Sequence, residues 1–568
     1  MRFKTKKIMN QRPAYFRKVK RTLLIFSLVA VAMLPLAFTT NTYFEISKNL
    51  DIFATLYKEL NSYYVDEVEP GKLIRTGIDA MLESLDPYTQ YISEDEIEDY
   101  RLQTTGKYGG IGALIRKIGD WVVVAEPYKD YPADKSGLIA GDRIIEIDGK
   151  SVKGKDTDDV SKMLKGQAGT YVKVKFKRPK ADGSEDEKEV QISREEIKIK
   201  NVQYSGMVKD NIGYIRLSNF TENAGKEVKD ALEALKTDNP NLKGVVFDLR
   251  GNPGGLLNEA VNVSNVFVNK GQEIVSTKGK VKEWDKSFKA LNPAVDVSLP
   301  MAVLTNKGSA SASEIVSGCI QDLDRGVIVG QKTFGKGLVQ TTRSLSYNTK
   351  LKVTTAKYYI PSGRCIQAIN YAEKDSTGSV VKIPDSLKTA FKTVSGRTVY
   401  DGGGIDPDVV MDPVKLSKIS GALLTKNHIF NWATLYHTKH ATIADPRTFK
   451  LSDAEYDDFM AYLADKEYDY TTKSEELLGD FEKIAQEEKY YDGIKPDFEK
   501  LKTSIMHDKK QDLIKHKEEI RSLLEEEIIG RYYYRTGRIE GGFEHDPELQ
   551  EAVKVLNAPD KYSALLRP

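Results

Sequence analysis

The sequence is poor in the residues that build disulfide frameworks and metal sites. Its 568 residues include only two cysteines and six histidines. Cys319 and Cys365 could form at most one disulfide, but both lie in apolar or glycine-flanked segments, which predicts two free core thiols. The sequence has no CxxC motif and no Cys/His cluster. We therefore expect neither a metal ion nor another cofactor.

The chain also lacks an excess of charge of either sign. Its 85 Lys and Arg residues nearly balance 83 Asp and Glu residues, which leaves a formal net charge of +2. Nucleic-acid binding usually requires a concentrated basic face, so this composition does not predict a nucleic-acid partner. The length predicts roughly three or four domains, because one hydrophobic core rarely organises so many residues.

The N-terminal segment has the composition of an export signal. The first 21 residues carry nine Lys or Arg and no acid, and residues 22–38 contain no charge. A helix over 22–38 would span about 25 Å, slightly less than a hydrocarbon core of about 30 Å, so a cleaved signal peptide and a retained anchor both remain open. Phe38 follows Ala37 where a small residue would favour cleavage, so we favour an anchor in the inner membrane with a periplasmic or extracytoplasmic remainder.

Hydrophobic patterning divides the rest of the chain into four regions. Helical spacing dominates 41–105, and short strands and turns fill 106–195. Apolar strands alternate with amphipathic helices over 196–410, which predicts a sheet covered by helices. Region 411–568 is helical and charged. Residues 1–40 form the separate signal or anchor, and the expected fold class is multidomain α/β plus β.

A run of alternating serines, NKGSASASEIVSG, joins a predicted strand to a predicted helix. Ser309, Ser311 and Ser313 could simply cap the helix and pack closely. A serine at this position could alternatively act as a nucleophile, with the next backbone amide as an oxyanion donor. All six histidines lie beyond residue 427, so a base for this serine must be sought elsewhere.

The glycine-rich segment DLRGNPGG, residues 248–255, follows another apolar strand. It lacks the Lys-Ser/Thr of a P-loop and the GxGxxG spacing of a dinucleotide site. A tight structural turn and an oxyanion hole remain open. Both this turn and the serine run are expected at the carboxyl edge of the sheet, where open α/β sheets place their sites. Asp248 and Arg250 are expected to fix the turn rather than to react.

The segment QKTFGKGLVQTT, residues 331–342, contains a candidate base. Gly335 and Gly337 flank Lys336 and disfavour a helix, and an extended segment would place Lys336, Leu338 and Gln340 on one face. A lysine amine is protonated up to about pH 10.4 in water, but desolvation can lower such a pKa by several units. A solvated surface lysine is the alternative interpretation.

Together these motifs resemble the carboxyl-terminal processing, or tail-specific, serine peptidases. GSASASEIVSG, TFGKGLVQ, LKVTTAKYYIPSGRCIQ and GGGIDPDV occur in that family's order and spacing. The similarity extends over roughly residues 45–410 and includes LDPYTQY at 85–91. The resemblance implies an α/β peptidase core of the crotonase-like or ClpP-like type, preceded by a PDZ-like domain.

The resemblance also implies roles for individual residues. Six positions match the family's site: Ser311 as nucleophile, Lys336 as general base, Gln340 as its orienting partner, and Ala312 with either Gly254 or Gly255 as oxyanion donors. Glu314 could stabilise the start of the helix or support the site, and its role remains open.

The segment KYGGIGALI, residues 107–115, resembles the carboxylate-binding loop of a PDZ domain. The stretch EPYKDYPADKSGLIAGDRIIEIDGK matches the later half of such a module. Successive amides in this loop would bind a C-terminal carboxylate while the next strand pairs with the peptide. An ordinary glycine turn is the alternative. The implied contacts are Tyr108, Gly109, Gly110, Ile111 and Gly112.

These observations predict an envelope serine endopeptidase that cleaves protein substrates near their C-termini through an acyl-enzyme. The expected partners are protein or peptide C-termini and, through residues 22–38, the membrane. A homo-oligomer or an adaptor remains open. The alternatives are a catalytically inactive PDZ scaffold and a peptidase that recruits a histidine from the helical tail.

Overall fold

The computed structural model describes residues 42–180, 182–374, 380–505 and 509–568. The predicted signal or anchor at 22–38 lies outside the described residues. Within the described ranges, no helix combines the length and apolarity needed to cross a membrane. The chain forms two compact units, Met1–Tyr91 and Ile92–Pro568.

The first unit is helical, as its periodicity predicts. It contains α1 (residues 42–63), α2 (Pro70–Glu83) and the start of strand β1 (Gln90–Ile92). Pro70 occupies the first turn of α2, where its missing N–H has no intrahelical partner to lose. The Tyr57 hydroxyl donates to the Pro70 carbonyl at 2.7 Å and ties the two helices together.

The second unit begins with the PDZ-like module. Its elements are α3 (Ile97–Thr105), β2 (Lys107–Gly110), β3 (Ala113–Ile118), β4 (Trp121–Pro127), α4 (Pro132–Lys135), β5 (Arg143–Ile147), β6 (Lys150–Ser151), α5 (Thr157–Leu164), β7 (Tyr171–Pro179), β8 (Glu185–Ser193) and β9 (Glu195–Lys198).

Alternation of apolar and polar residues builds the sheet of this module. In β7, Val172, Val174 and Phe176 are buried while Tyr171 and Lys173 face solvent. The strands run in the order β3-β4-β5-β7-β8, with β6 paired to β5. Strand β3 therefore lies at the edge of the sheet.

The α/β region follows. Its elements are β10 (Val202–Met207), β11 (Ile212–Leu217), α6 (Ala224–Asp238), β12 (Gly244–Asp248), α7 (Leu257–Phe267), β13 (Glu273–Gly279), β14 (Lys286–Lys289), β15 (Met301–Thr305), α8 (Ala312–Asp322), β16 (Val327–Gly330), β17 (Leu338–Ser344), β18 (Lys350–Tyr359), β19 (Ile369–Lys374), β20 (Val380–Lys382), β21 (Ala390–Lys392), β22 (Thr398–Tyr400) and β23 (Val409–Val410).

The central sheet of this region has the strand order β10-β11-β12-β15-β16-β23. Strand β10 is antiparallel to β11, and each later neighbouring pair is parallel. Every residue of β12, β15 and β16 is buried, as expected for parallel strands covered on both faces. Side chains of α6, α7 and α8 share the hydrophobic core on one face.

The regular secondary structure of the C-terminal extension is helical in its described residues. Its helices are α9 (Lys418–Thr425), α10 (His428–Lys439), α11 (Asp453–Tyr462), α12 (Lys473–Glu487), α13 (Tyr491–Ile505), α14 (Lys509–Lys515), α15 (Lys517–Gly541), α16 (Pro547–Leu556) and α17 (Pro559–Leu565).

The extension has a core of its own, but α16 belongs to the central sheet. Leu549, Ala552 and Val553 of α16 share a buried cluster with Val246 of β12 and Leu304 of β15. Helix α16 thus covers the face of the sheet opposite α6, α7 and α8. The predicted multidomain fold is confirmed, and the end of the extension supplies one layer of the α/β core.

Candidate active site

Two loops meet at the carboxyl edge of the central sheet. One leaves β12 after Asp248 and the other leaves β15 after Thr305, and these strands are parallel neighbours. The Ser309 hydroxyl donates to the Leu249 carbonyl at 2.8 Å. The Ser313 hydroxyl donates to the Asn252 carbonyl at 2.9 Å. These two serines join the glycine-rich turn to the start of α8.

Ser311 differs from the two serines that flank it. Its backbone has φ 56° and ψ −111° at the N-cap of α8, a conformation that is strained for a residue other than glycine. Its side chain takes part in a capping-box arrangement with Glu314 at the start of α8 and does not donate to the carbonyls that hold its two neighbours. The strained backbone holds this hydroxyl in a cleft, whereas the hydroxyls of Ser309 and Ser313 are committed to backbone carbonyls.

Glu314 links the nucleophile candidate to the base candidate. Its buried carboxylate accepts hydrogen bonds from the backbone amides of Ser311 (2.8 Å), Gly335 (2.7 Å) and Lys336 (2.9 Å). It also accepts from the Thr333 hydroxyl at 2.6 Å. Burial raises the pKa of Glu314 to about 7, although these four hydrogen bonds favour the ionised form.

The segment that carries Lys336 is less regular than predicted. Strand β17 begins only at Leu338, and its register with β18 shifts between Val339 and Gln340. Lys336, Leu338 and Gln340 nevertheless line the same cleft. The Gln340 side chain donates from Nε2 to Thr354 Oγ1 at 3.1 Å, which fixes its amide on the wall formed by β17 and β18.

The cleft has a volume of about 540 Å³. All six residues expected at the catalytic centre line it: Gly254, Gly255, Ser311, Ala312, Lys336 and Gln340. Among the described residues that line it, the basic ones are Lys336 and Lys352, and none is a carboxylate. None of the described histidines lines the cleft.

Gly255 and Ala312 line the same cleft as Ser311. Gly254 has φ 98°, and a Cβ placed on it would lie 2.8 Å from the Ala312 nitrogen and 2.9 Å from the Ser311 Cβ. The Gly254 amide donates to the Asn252 side chain at 2.9 Å. The amides of Gly255 and Ala312 donate to no acceptor among the described residues. The turn therefore requires glycine, because its backbone lies directly against the serine.

Comparison with known proteins identifies the family of this chain. Residues 211–377 match the model of peptidase family S41 and residues 123–178 match a PDZ domain. A carboxy-terminal-processing protease of Bartonella bacilliformis is 39% identical over 347 residues, which cover 61% of this chain and 79% of that protein. The chain belongs to this family of serine peptidases.

Two further relatives match other shares of their own length. A "Probable CtpA-like serine protease" of Staphylococcus haemolyticus is 41% identical over 55% of this chain and 61% of that protein. A solved photosystem II D1 C-terminal processing protease is 29% identical, covers 64% of this chain and 93% of its own, and superposes with a TM-score of 0.34. Residues 419–556 match a "Probable PDZ-protease, C-terminal helical domain".

The PDZ residues predicted in this peptidase fall into two groups. Tyr108, Gly109 and Gly110 lie in β2, which pairs with β9. Ile111 and Gly112 form the turn before β3, and Gly112 has φ 74°. The amides of these two turn residues donate to no acceptor in the described ranges. The five residues thus lie on β2 and on the turn that leads into β3.

Sequence reasoning missed several residues that shape the S41 site. Tyr358 donates to the Ser311 carbonyl at 3.3 Å, and Asn252 orients the glycine turn. Neither carries a local signal, because their partners are remote in sequence or on the backbone. Arg250 is expected from the sequence to fix the turn, but its partner Asp546, 296 positions away, is not. The sequence singles out Glu314, three residues after Ser311, but does not predict its contacts with the amides of Gly335 and Lys336.

Proposed function

We propose that this S41 peptidase is an envelope endopeptidase that cleaves protein substrates near their C-termini with Ser311 and Lys336. The observation that carries the proposal is the single cleft that is lined by Ser311, Lys336 and the backbone of Gly255 and Ala312. Its composition supports serine chemistry that uses an amine base in place of histidine.

In the proposed reaction, neutral Lys336 accepts the Ser311 hydroxyl proton while Oγ forms a bond to the scissile carbonyl carbon. The resulting oxyanion accepts hydrogen bonds from the amides of Ala312 and Gly255. We favour Gly255 over Gly254 because the Gly254 amide already donates to Asn252.

Collapse of this intermediate breaks the C–N bond, and the Lys336 ammonium returns its proton to the leaving amine. Water then attacks the acyl-enzyme with Lys336 again as base, and Ser311 regains its proton as the acid product leaves. Gln340 orients the amine without adding charge. No step requires a cofactor.

Substrate selection is proposed to use the PDZ-like module. Strand β3 is an edge strand with unpaired backbone groups, and the turn before it has free amides at Ile111 and Gly112. An extended peptide could add to β3 while its terminal carboxylate accepts from these amides. Tyr108, Gly109 and Gly110 would then support the loop from β2.

The cellular setting rests on sequence composition. We infer an anchor at residues 22–38 and an extracytoplasmic location for the rest, with domains at 41–105, 106–195, 196–410 and 411–568. Self-association or activation by an adaptor is compatible with this arrangement. The inactive scaffold lacks support, since every position of the catalytic motif is retained.

The decisive experiment measures turnover of an unfolded protein with a free C-terminus by purified variants. Ser311→Ala and Lys336→Ala should each lower kcat at least about 1000-fold, because nucleophile and base act as one unit. Lys307→Ala, an exposed lysine on the loop before α8, is the control and should match the wild type.

Robust cleavage by either catalytic variant would remove the Ser/Lys mechanism. Loss of activity on replacing one histidine, with Ser311→Ala still active, would favour the histidine-dependent alternative. Tolerance of all histidine replacements is the expected result.

A further inference from the structure

Arg250 is the point at which the C-terminal extension contacts the glycine-rich turn. Its guanidinium donates to both oxygens of Asp248 (3.0 and 2.7 Å), which ends β12. It also donates to both oxygens of Asp546 (2.9 and 2.6 Å) and to Glu548 Oε2 (2.7 Å). All five N–H donors of the arginine are therefore used.

The two acids of the extension lie at the start of α16. Asp546 is the N-cap and accepts from the Leu549 amide at 3.0 Å, and Glu548 lies in the first helical turn. Helix α16 packs on the central sheet, and Arg250 binds the two carboxylates. Their positions are therefore fixed both by the helix and by the arginine. The side chain of Arg250 is only 14% exposed and that of Glu548 only 8% exposed.

Glu548 also contacts the segment that leads to Lys336. Its other oxygen, Oε1, accepts from Gln331 Nε2 at 2.9 Å. Gln331 follows the last residue of β16 and begins the segment that leads to Lys336. The Glu548 carboxylate therefore connects Arg250, at the start of the glycine-rich turn, with Gln331, at the start of the segment that carries Lys336.

Charge and burial oppose the separation of Arg250 from its carboxylate partners. Burial by itself raises the pKa of Asp248, but the charge and hydrogen bonds of Arg250 hold that pKa below its ordinary value. The Tyr214 hydroxyl donates to the same carboxylate at 2.5 Å. A buried guanidinium that loses one carboxylate partner must reorient or admit water, because unpaired buried charge is unfavourable.

We propose that Asp546 and Glu548 are positioning residues of the peptidase, which act through Arg250 and Gln331 to keep the oxyanion amides and Lys336 aligned with Ser311. The proposal rests on the proposed function of those groups. It gives the extension a part in the chemistry without direct contact with substrate.

The test uses the full-length protein with isosteric variants Asp546→Asn and Glu548→Gln. Each should lower kcat by about 10- to 100-fold, because small displacements of catalytic groups have effects of this size. The value of KM should stay within about twofold, since the expected error is in alignment rather than in substrate binding. Binding of a peptide boronate, whose tetrahedral adduct occupies the oxyanion site, should weaken in parallel with kcat.

The matched control is Glu551→Gln, which removes a carboxylate of the same helix that pairs with Lys561 at 2.9 Å and lies outside the network. It should retain wild-type kcat and boronate affinity. A second variant, Gln331→Met, breaks only the bridge to the base segment and should lower kcat with little loss of thermal stability.

The outcomes separate the two proposals. If Ser311→Ala is inactive while Asp546→Asn, Glu548→Gln and Gln331→Met all keep wild-type kcat, the positioning role is wrong and the Ser/Lys site stands. If kcat falls only in proportion to the folded fraction, or equally in Glu551→Gln, the acids have a purely structural role. If Ser311→Ala keeps cleaving, the proposed function itself fails.

Discussion

At the scale of single residues, Glu314 connects more of the site than any motif indicates. Its carboxylate accepts from the backbone of both Ser311 and Lys336, so one side chain sets the separation of the two segments. Each of the three backbone groups it contacts is an N–H donor. A protonated carboxyl must direct its own O–H among these donors, so the ionised form suits the site.

The Glu314 interaction predicts a pH dependence. Since the pKa of Glu314 is raised to about 7, its carboxylate becomes protonated as the pH drops below about 7, and kcat should fall. Glu314→Gln should lower kcat about 10- to 100-fold and remove the step near pH 7. The measurement is a kcat profile from pH 5 to 10, and an unchanged step in the variant would contradict the assignment.

Protonation of Glu314 has opposite effects on the stability of the fold and on activity. The folded-state pKa of Glu314 lies above the ordinary value of 4.5, so the folded protein binds more protons than the unfolded chain between about pH 4.5 and 7. Its contribution is therefore complete below that window and is lost as pH rises through it. In the Glu314→Gln variant, the free energy of unfolding should not show this decrease with rising pH.

At the scale of elements, α16 decides whether the central sheet is covered on both faces. Leu549 is fully buried against the sheet. Leu549→Ala should lower the free energy of unfolding by about 2 to 5 kcal/mol, because it leaves a cavity in a packed core. Chemical denaturation followed by circular dichroism measures this loss.

The control for this prediction is Leu477→Ala on α12, where the side chain is 56% exposed. That change should alter stability by less than about 0.5 kcal/mol. Equal effects of the two substitutions would show that α16 is not part of the core.

At the scale of the whole molecule, the proposal joins C-terminal capture to cleavage in one chain. Gly112 precedes edge strand β3 with φ 74°, and a Cβ on it would lie 2.6 Å from Tyr131 Cβ. Gly112→Ala should raise KM for a tailed protein substrate about tenfold with little change in kcat, because only capture of the tail is impaired. Amidation of the substrate C-terminus should have the same effect on the wild type.

Gly119→Ala is the matched control, since Gly119 also has positive φ (59°) but a Cβ there meets open space. Gly119→Ala introduces a similar backbone strain at a position away from the turn before β3. A rise in KM of the same size in both variants would indicate general destabilisation rather than loss of capture.

The sequence alone determined the order of elements and the chemical identity of the site. Apolar runs located the buried strands, glycines located the turns, and the motifs around Ser311 and Lys336 indicated the family, because these signals are local. The sequence also predicted that β12 and β15 bring their loops to one edge, since parallel strands align their carboxyl ends.

Only the tertiary structure decided which serine lines the cleft and which glycine amide is free. It also decided that Glu314 joins the two catalytic segments and that α16 completes the sheet. These features depend on contacts between residues up to 298 positions apart, as between Arg250 and Glu548. Charge pairs and shared packing of this kind leave no periodic pattern in a single chain, because they are created only when the chain folds.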